Sequence, residues 1–236
     1  FHAGTNDEPA QLATNSGQCF EGFKLASQGF IFDDNDSDAS PLRVMREIVE
    51  KNPKAATLVH PYIGGDEVNS SPTHAYHRYA INFGSMTEEE ARRWPDLFSI
   101  VEAKVKPHRE ESNRESHRNK WWQYGEVRPG LVRALQGKER VLVCSQTSKY
   151  LALAMLPSGW IYSEKLKVFT LEGYGAFCIL QSRVHELWAL FFGSTMKDDP
   201  VYTPSDCYET FPFPPSWASS DVLARAGREY YEFRAH

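Results

Sequence analysis

Three groups of residues have the types and spacing for chemistry. Pro95-Asp96 followed by Glu102-Ala103-Lys104 supplies two carboxylates and a lysine, the set that gathers a divalent metal and its attacking water in metal-dependent nucleases. His74-x-x-His77 is spaced to hold a metal when both imidazoles lie on one turn of a helix. Between Lys104 and Arg140, ten Lys/Arg stand against five Asp/Glu and are interleaved with Trp121, Trp122 and Tyr124. Cations of that density contact phosphates, and arginine also reaches guanine edges in the major groove. The competing reading of this stretch is a solvated face in which Glu110, Glu111 and Glu115 pair with Arg114 and its neighbours.

The elements that must position these groups decide between the readings. Leu97, Ile100, Val101 and Val105 recur on one helical face after Pro95, and Pro107 is expected to close that helix. Asp96, Glu102 and Lys104 therefore fall within a helical pattern, whereas a nuclease centre carries its Glu and Lys on one face of a strand. A solvated helix face fits better. The histidine pair follows Ser70-Ser71-Pro72 in a loop, with no third ligand nearby. Phe213-Pro214-Pro215-Ser216-Trp217 superficially resembles the N-P-P-Y motif of amino-methylating enzymes, but lacks the leading Asn, Asp or Ser and the aromatic directly after the prolines. No G-x-S-x-G, P-loop or G-x-G-x-x-G fingerprint is present. The expectation is that the chain holds no catalytic residue, metal or cofactor site of its own.

Further along the same pass, residues 1–40 read as an irregular lead-in that includes the acidic turn Asp33–Pro41. Ser40 is expected to cap a helix that begins at Pro41 and carries Leu42, Met45, Ile48 and Val49. GGDEVNSSP reads as a turn and RYAINF as a strand. Thr87 with Glu90 forms a capping box. The basic stretch through Trp122 is expected to be helical and solvated. RVLVCSQ, YLALAML, WIYSE and KVFTL read as strands clustered between residues 140 and 170. One amphipathic helix is expected over Ala176–Phe191, ending at Gly193. A Pro/aromatic ribbon, YTPSDCYETFPFP, should pack internally before a last helix from about Trp217. The body is thus 41–213, with 214–236 as a C-terminal helix. The class is α+β: a small, mixed, antiparallel-rich sheet flanked by amphipathic helices.

Composition agrees with a folded domain: 236 residues, 41% hydrophobic, 13% aromatic and 24% charged. No apolar stretch is long enough for a membrane helix, and no membrane partner is expected. The net charge of −5 argues against a simple polyanion-binding arm, so the basic segment presents one positive face on an acidic body. Cys19, Cys144, Cys178 and Cys207 are far apart, which fits a reducing, cytoplasmic setting. The first residue is Phe1, and the chain is expected to be part of a longer one. Gln146, Ser148, Lys149, Glu164 and Lys165, in the turns after two of the strands, are side chains that read base edges if those turns face a groove.

Taken in order, GGDEVNSSP, RYAINF, EEEARRWPDLFSIVEAKVKP, KWWQYGEVRPGL, RVLVCSQTSKYLALAMLP, YGAFCILQSRVHELWALFFGS and YTPSDCYETFPFP are familiar. Over residues 15–215 the series resembles the target-recognition region of MmeI-like type II restriction–modification enzymes and related adenine-specific DNA methyltransferases. The resemblance implies a target-recognition domain over 41–213 that docks on double-stranded DNA. It implies a methyltransferase domain in the same parent chain, with S-adenosylmethionine as its cofactor and Mg²⁺ where a nuclease is attached. It also implies phosphate clamping by Arg109, Arg114, Arg118, Lys120, Arg128 and Arg133, and base readout by Gln146, Ser148, Lys149, Glu164 and Lys165. Two other functions compete: a nuclease using Asp96, Glu102 and Lys104, and a protein-interaction module presenting Trp121, Trp122 and the Pro/Phe ribbon.

Overall fold

Two four-stranded sheets, joined along one seam, carry the fold. The structure, a computed structural model, describes residues 12–71, 73–197 and 199–234. The chain begins with β1 (Cys19–Glu21), β2 (Ile31–Phe32), α1 (Leu42–Lys51), β3 (Val59–Ile63), α2 (Gly65–Ser70), β4 (Arg78–Ile81), α3 (Glu88–Arg92) and α4 (Pro95–Lys104). It continues through α5 (Lys106–Glu110), α6 (Glu115–Asn119), α7 (Pro129–Leu135), β5 (Arg140–Ser145), β6 (Leu153–Pro157), β7 (Ile161–Tyr162) and β8 (Leu166–Phe169). The last part holds α8 (Tyr174–Leu180), α9 (Arg183–Phe192), β9 (Ser194–Met196), β10 (Asp199–Val201), α10 (Pro204–Cys207) and α11 (Asp221–Arg234). Among the described residues no helix is long and apolar enough to cross a membrane.

The first sheet has the order β1-β8-β5-β6 and is antiparallel throughout. The second has the order β2-β4-β3-β7, with only the β3–β7 pair parallel. The expected antiparallel-rich α+β class holds. The expected clustering of strands does not, because four strands precede residue 140, two of them inside the stretch read as irregular. Strands of two or three residues are too short to show a period.

β5 explains why RVLVCS reads as an unbroken apolar run. Val141 and Val143 point into a core with Phe30, Phe32, Ile63, Ile81, Leu97 and Val101, while Leu142 and Cys144 point into a second core with Phe169, Phe177, Tyr202 and Tyr208. A strand covered on both faces has no polar side to alternate with.

β6 lies at the edge of its sheet, where bare N–H groups would invite another strand. Side chains cover it instead. Leu153 N–H donates to Gln181 Oε1 (2.8 Å), Met155 N–H donates to Tyr231 Oη (3.1 Å), and Arg234 donates to Leu153 O (2.9 Å). Gln181 thereby interrupts what the periodicity suggests is one helix. α8 ends at Leu180, and Ser182 caps α9 by accepting from His185 N–H at 3.3 Å. Val184, Leu187, Leu190, Phe191 and Phe192 of α9 face outward rather than into the core.

The other caps divide. Thr87 and Glu90 form the expected box, with Glu90 N–H to Thr87 Oγ1 at 3.3 Å and Thr87 N–H to Glu90 Oε2 at 2.8 Å. Ser40 does not cap α1: its backbone bridges Phe32, Pro41 holds the cap position, and Asp34 Oδ1 accepts from Leu42 N–H at 2.8 Å. Pro107 does not end the helical run either. It sits in the first turn of α5, where its missing N–H costs nothing. The ribbon packs as expected, burying Tyr202, Cys207, Tyr208 and Phe211.

Candidate nucleic-acid interface

The chain crosses from one sheet to the other at Gly22. Beyond β1, Gly22 N–H donates to Leu166 O (3.0 Å), Phe23 N–H donates to Tyr162 O (2.7 Å), and Phe23 bridges Ser163 in parallel. The facing turn, Ser163–Lys165, joins β7 of the second sheet to β8 of the first. It is tied on several sides: Ser163 N–H donates to Ile63 O (2.9 Å), Lys165 N–H to Ser163 Oγ (3.1 Å) and Leu166 N–H to Ser163 O (2.9 Å).

The next turn is tied to this one. Gln146 N–H donates to Lys165 O and Gln146 O accepts from Tyr202 N–H, both at 2.7 Å. Thr147 bridges Val201, and Ser148 N–H reaches Pro200 O at 3.4 Å. Backbone bonds therefore fix the turn, and the half-buried Gln146 side-chain amide is not needed to hold it. Lys149 and Lys165 are exposed, and Ser148 and Glu164 are half-buried. The structure thus gathers Gln146, Ser148, Lys149, Glu164 and Lys165 on two adjacent, braced turns.

The cations expected at phosphates separate into two sets. Arg114, Arg118, Lys120 and Arg133 are exposed, and Arg118 Nη1 is held to Ser112 O at 2.5 Å. Arg109 is 3% exposed. Its guanidinium donates to Leu25 O (2.8 Å) and Gln123 O (3.4 Å), and burial pulls its pKa down from the ordinary arginine value. The phosphate role expected of Arg109 is corrected: it staples α5 to the strip after β1. Arg128 is half-buried and paired with Glu21 (2.6 Å) and Glu126 (2.9 Å); Glu21 also takes the fully buried Lys167 at 2.9 Å. Within this network Arg128 is paired with two carboxylates, unlike the exposed Arg114. On the other side of the strip, Glu126 N–H donates to Lys24 O at 3.1 Å. The loop before α7 thus lies two strand spacings, ~10 Å, from the Ser163 turn.

Trp121 and Trp122 are not a docking surface: they are 6% and 8% exposed, and Trp122 Nε1 donates to Met86 O at 2.9 Å. The nuclease set is also dispersed. Six helical steps separate Asp96 from Glu102 by ~9 Å of rise and about 240° of rotation. Asp96 pairs with Lys51 at 3.0 Å, Glu102 lies 3.4 Å from both Arg92 and Lys106, and Lys104 Nζ donates to Asp38 O (3.1 Å) and Ala39 O (2.8 Å). Among the described residues no three His, Cys, Asp or Glu side chains come together as a metal site. His74 and His77 lie outside any helix, as expected of a loop. Burial pushes the Cys19, Cys144 and Cys207 thiols up, away from nucleophilic thiolates.

GGDEVNSSP, expected to be a turn, forms α2. Its start is made by Glu67, whose Oε2 accepts from Gly64 N–H at 2.9 Å and whose Oε1 accepts from Arg78 Nε at 2.9 Å. The signal was present as G-x-x-E before Val68, the spacing of a cap residue and a third-position glutamate. Burial alone would raise the Glu67 pKa. Hydrogen bonds from Gly64 N–H and its own N–H, with Arg78 alongside, overcome this and hold the carboxyl below the usual range. A depressed native pKa contributes stability above the unfolded value and loses it as pH falls through the native one. Glu67→Gln should therefore be less stable than the parent at neutral pH, with the gap closing as the pH falls through the depressed titration of this carboxyl. Denaturant unfolding across pH checks this, and a gap that stays constant would remove Glu67 from the linkage.

Two sheets clad in helices, with amide, hydroxyl and amine groups on braced turns, make up an α+β domain. The chain belongs to the MmeI target recognition domain family, which matches residues 33–215. A solved structure of the type IIL restriction-modification enzyme MmeI in complex with DNA is similar to it, with a TM-score of 0.71 and 17% sequence identity over 96% of this chain. The chain spans 28% of that relative's length, and at 17% identity the likeness is one of fold. No curated protein matches it in sequence.

Proposed function

We propose that the chain is the sequence-reading module of a restriction–modification enzyme whose parent methylates the N6 amine of an adenine. It docks on duplex DNA, selects the site and holds the duplex in register while a catalytic domain of the same parent chain acts on the extruded base. The observation that carries this reading is the pair of locked turns. Gln146 and Lys165 are joined backbone to backbone, so their side chains reach outward from fixed points. A bidentate base contact discriminates by ~1–3 kcal/mol only when its geometry is held in this way. Arg114, Arg118, Lys120 and Arg133, exposed on α6, α7 and their flanks, supply phosphate positioning.

S-adenosylmethionine belongs in this scheme to the parent's methyltransferase domain, and Mg²⁺ to a nuclease where one is attached. This chain's residues fit neither, because the cofactor's glycine fingerprint is lacking and the carboxylates are scattered. A DNA partner and four free cysteines support a cytoplasmic location.

Selection of binders from a randomised duplex pool, at two salt concentrations, tests the proposal. A short motif containing an adenine should be enriched, with affinity falling steeply as salt rises. Replacing Arg114 and Arg118 together by alanine should weaken binding to all sequences and reduce the salt slope by ~2. Gln146→Ala should instead relax one motif position by roughly tenfold. Failure to bind even at low salt refutes the proposal.

A further inference from the structure

α2 borders the same cleft as the two reading turns. An open cleft of about 320 Å³ lies between them, lined by residues that include Asp66, Asn69, Arg78, Ser145, Gln146 and Lys165. Asp66 and Asn69 are three residues apart on α2 and exposed, while Glu67 and Val68 between them are buried. Residues at that spacing share a helix face, and here the shared face is the one turned to the cleft.

The platform under them is rigid. Glu67 ties the first turn of α2 to Gly64 and Arg78, and Arg78 lies over the Tyr62 ring at 4.9 Å. Gly65 meets β5 closely: a Cβ there would stand 3.2 Å from Ser145 Oγ. Ser145 is 7% exposed, lines the cleft, and its hydroxyl has no hydrogen-bond partner.

The charges say which ligand groups fit. Arg78 is engaged by Glu67, which offsets its charge toward a phosphate. The exposed Asp66 carboxylate repels phosphate, so it is tolerated in a DNA-facing cleft only opposite a donor. In the major groove the donors are the exocyclic amines, N4 of cytosine and N6 of adenine. Asn69 matches the N6/N7 pair of adenine.

We infer that α2 is a third reading segment, in which Asp66 and Asn69 select bases that present an exocyclic amine in the major groove, beside Gln146 and Lys165 in one cleft. This rests on the proposed reading of the chain as a DNA-recognition module. The test repeats the duplex-pool selection with Asp66→Asn and with the Asp66→Ala, Asn69→Ala double variant. Asp66→Asn keeps the shape of an exposed side chain and replaces a pure acceptor by a group that also donates. It should lower the preference for cytosine or adenine over guanine or thymine at one motif position at least tenfold. The other positions and the salt dependence should stay as in the parent. The double variant should lose discrimination at that position and its neighbour, with an unchanged melting temperature. A parent motif that both variants reproduce overturns this inference and leaves the DNA-reading module standing. A parent chain that enriches no motif overturns both.

Discussion

Gly22→Ala should melt about 6–12 °C below the parent and lose sequence discrimination. A Cβ at this position would stand 2.1 Å from Ser163 O and 2.5 Å from Tyr162 O, and both are backbone atoms of the paired strand. Neither can rotate away as a side chain would, so relief requires the strip after β1 to separate from β7. Overpacking costs ~1–3 kcal/mol where neighbours yield, and a clash with fixed backbone belongs at the top of that range. For a domain of this size ~3 kcal/mol is about 6–12 °C. The functional loss follows from position, because the displaced strand edge carries the Ser163–Lys165 turn and, through Lys165 O, the Gln146 turn. Thermal unfolding and the duplex-pool selection check the two effects separately. A melting temperature within 2 °C of the parent would show that the seam can open without cost.

Gly227→Val should have an effect of similar size but a different outcome. Gly227 lets α11 cross α8 so closely that a Cβ would be 2.1 Å from Tyr174 O. Valine should push α11 off, and with it Tyr231 and Arg234, the groups that satisfy Met155 N–H and Leu153 O on β6. The two sheets do not depend on that helix for their pairing, so the far-ultraviolet signal should fall only by the helix content of α11. The uncovered edge of β6 should then pair with another copy. Size-exclusion chromatography over a concentration series should show more self-association than the parent does. A monomeric, fully helical variant would mean that α11 tolerates the shift.

Much of this protein was legible before folding was considered. The Thr87–Glu90 box is a local exchange of hydrogen bonds across three residues, so it could be read directly. The runs that became β5, β6 and β8 announced themselves through apolar content, and the ribbon through its aromatics. The ordered segments pointed to a target-recognition region, and the family match over 33–215 agrees. Misreadings arose where the partner lay farther off. Ser40 had the right type for a cap, but Asp34, eight residues before Leu42, took the role. The single helix over 176–191 was broken because Gln181 is bonded to the edge of β6, 28 residues away. α2 is not read from the sequence although its glutamate stands at the capping distance, because the two glycines and two serines of GGDEVNSSP outweigh that signal.

The sequence alone determined the caps closed within a turn, the apolar strands and the order of segments, since each depends on chemistry within a few residues. Which cations and amides stand at the surface was decided only in three dimensions. Arg109 and Arg114 are the same residue type five positions apart. Yet one is buried against a carbonyl 84 residues away while the other is exposed. Gln146 and Lys165 become neighbours only because β5 pairs with β8. A cation's availability depends on the partner that folding brings to it, and that partner is set by the packing of distant segments.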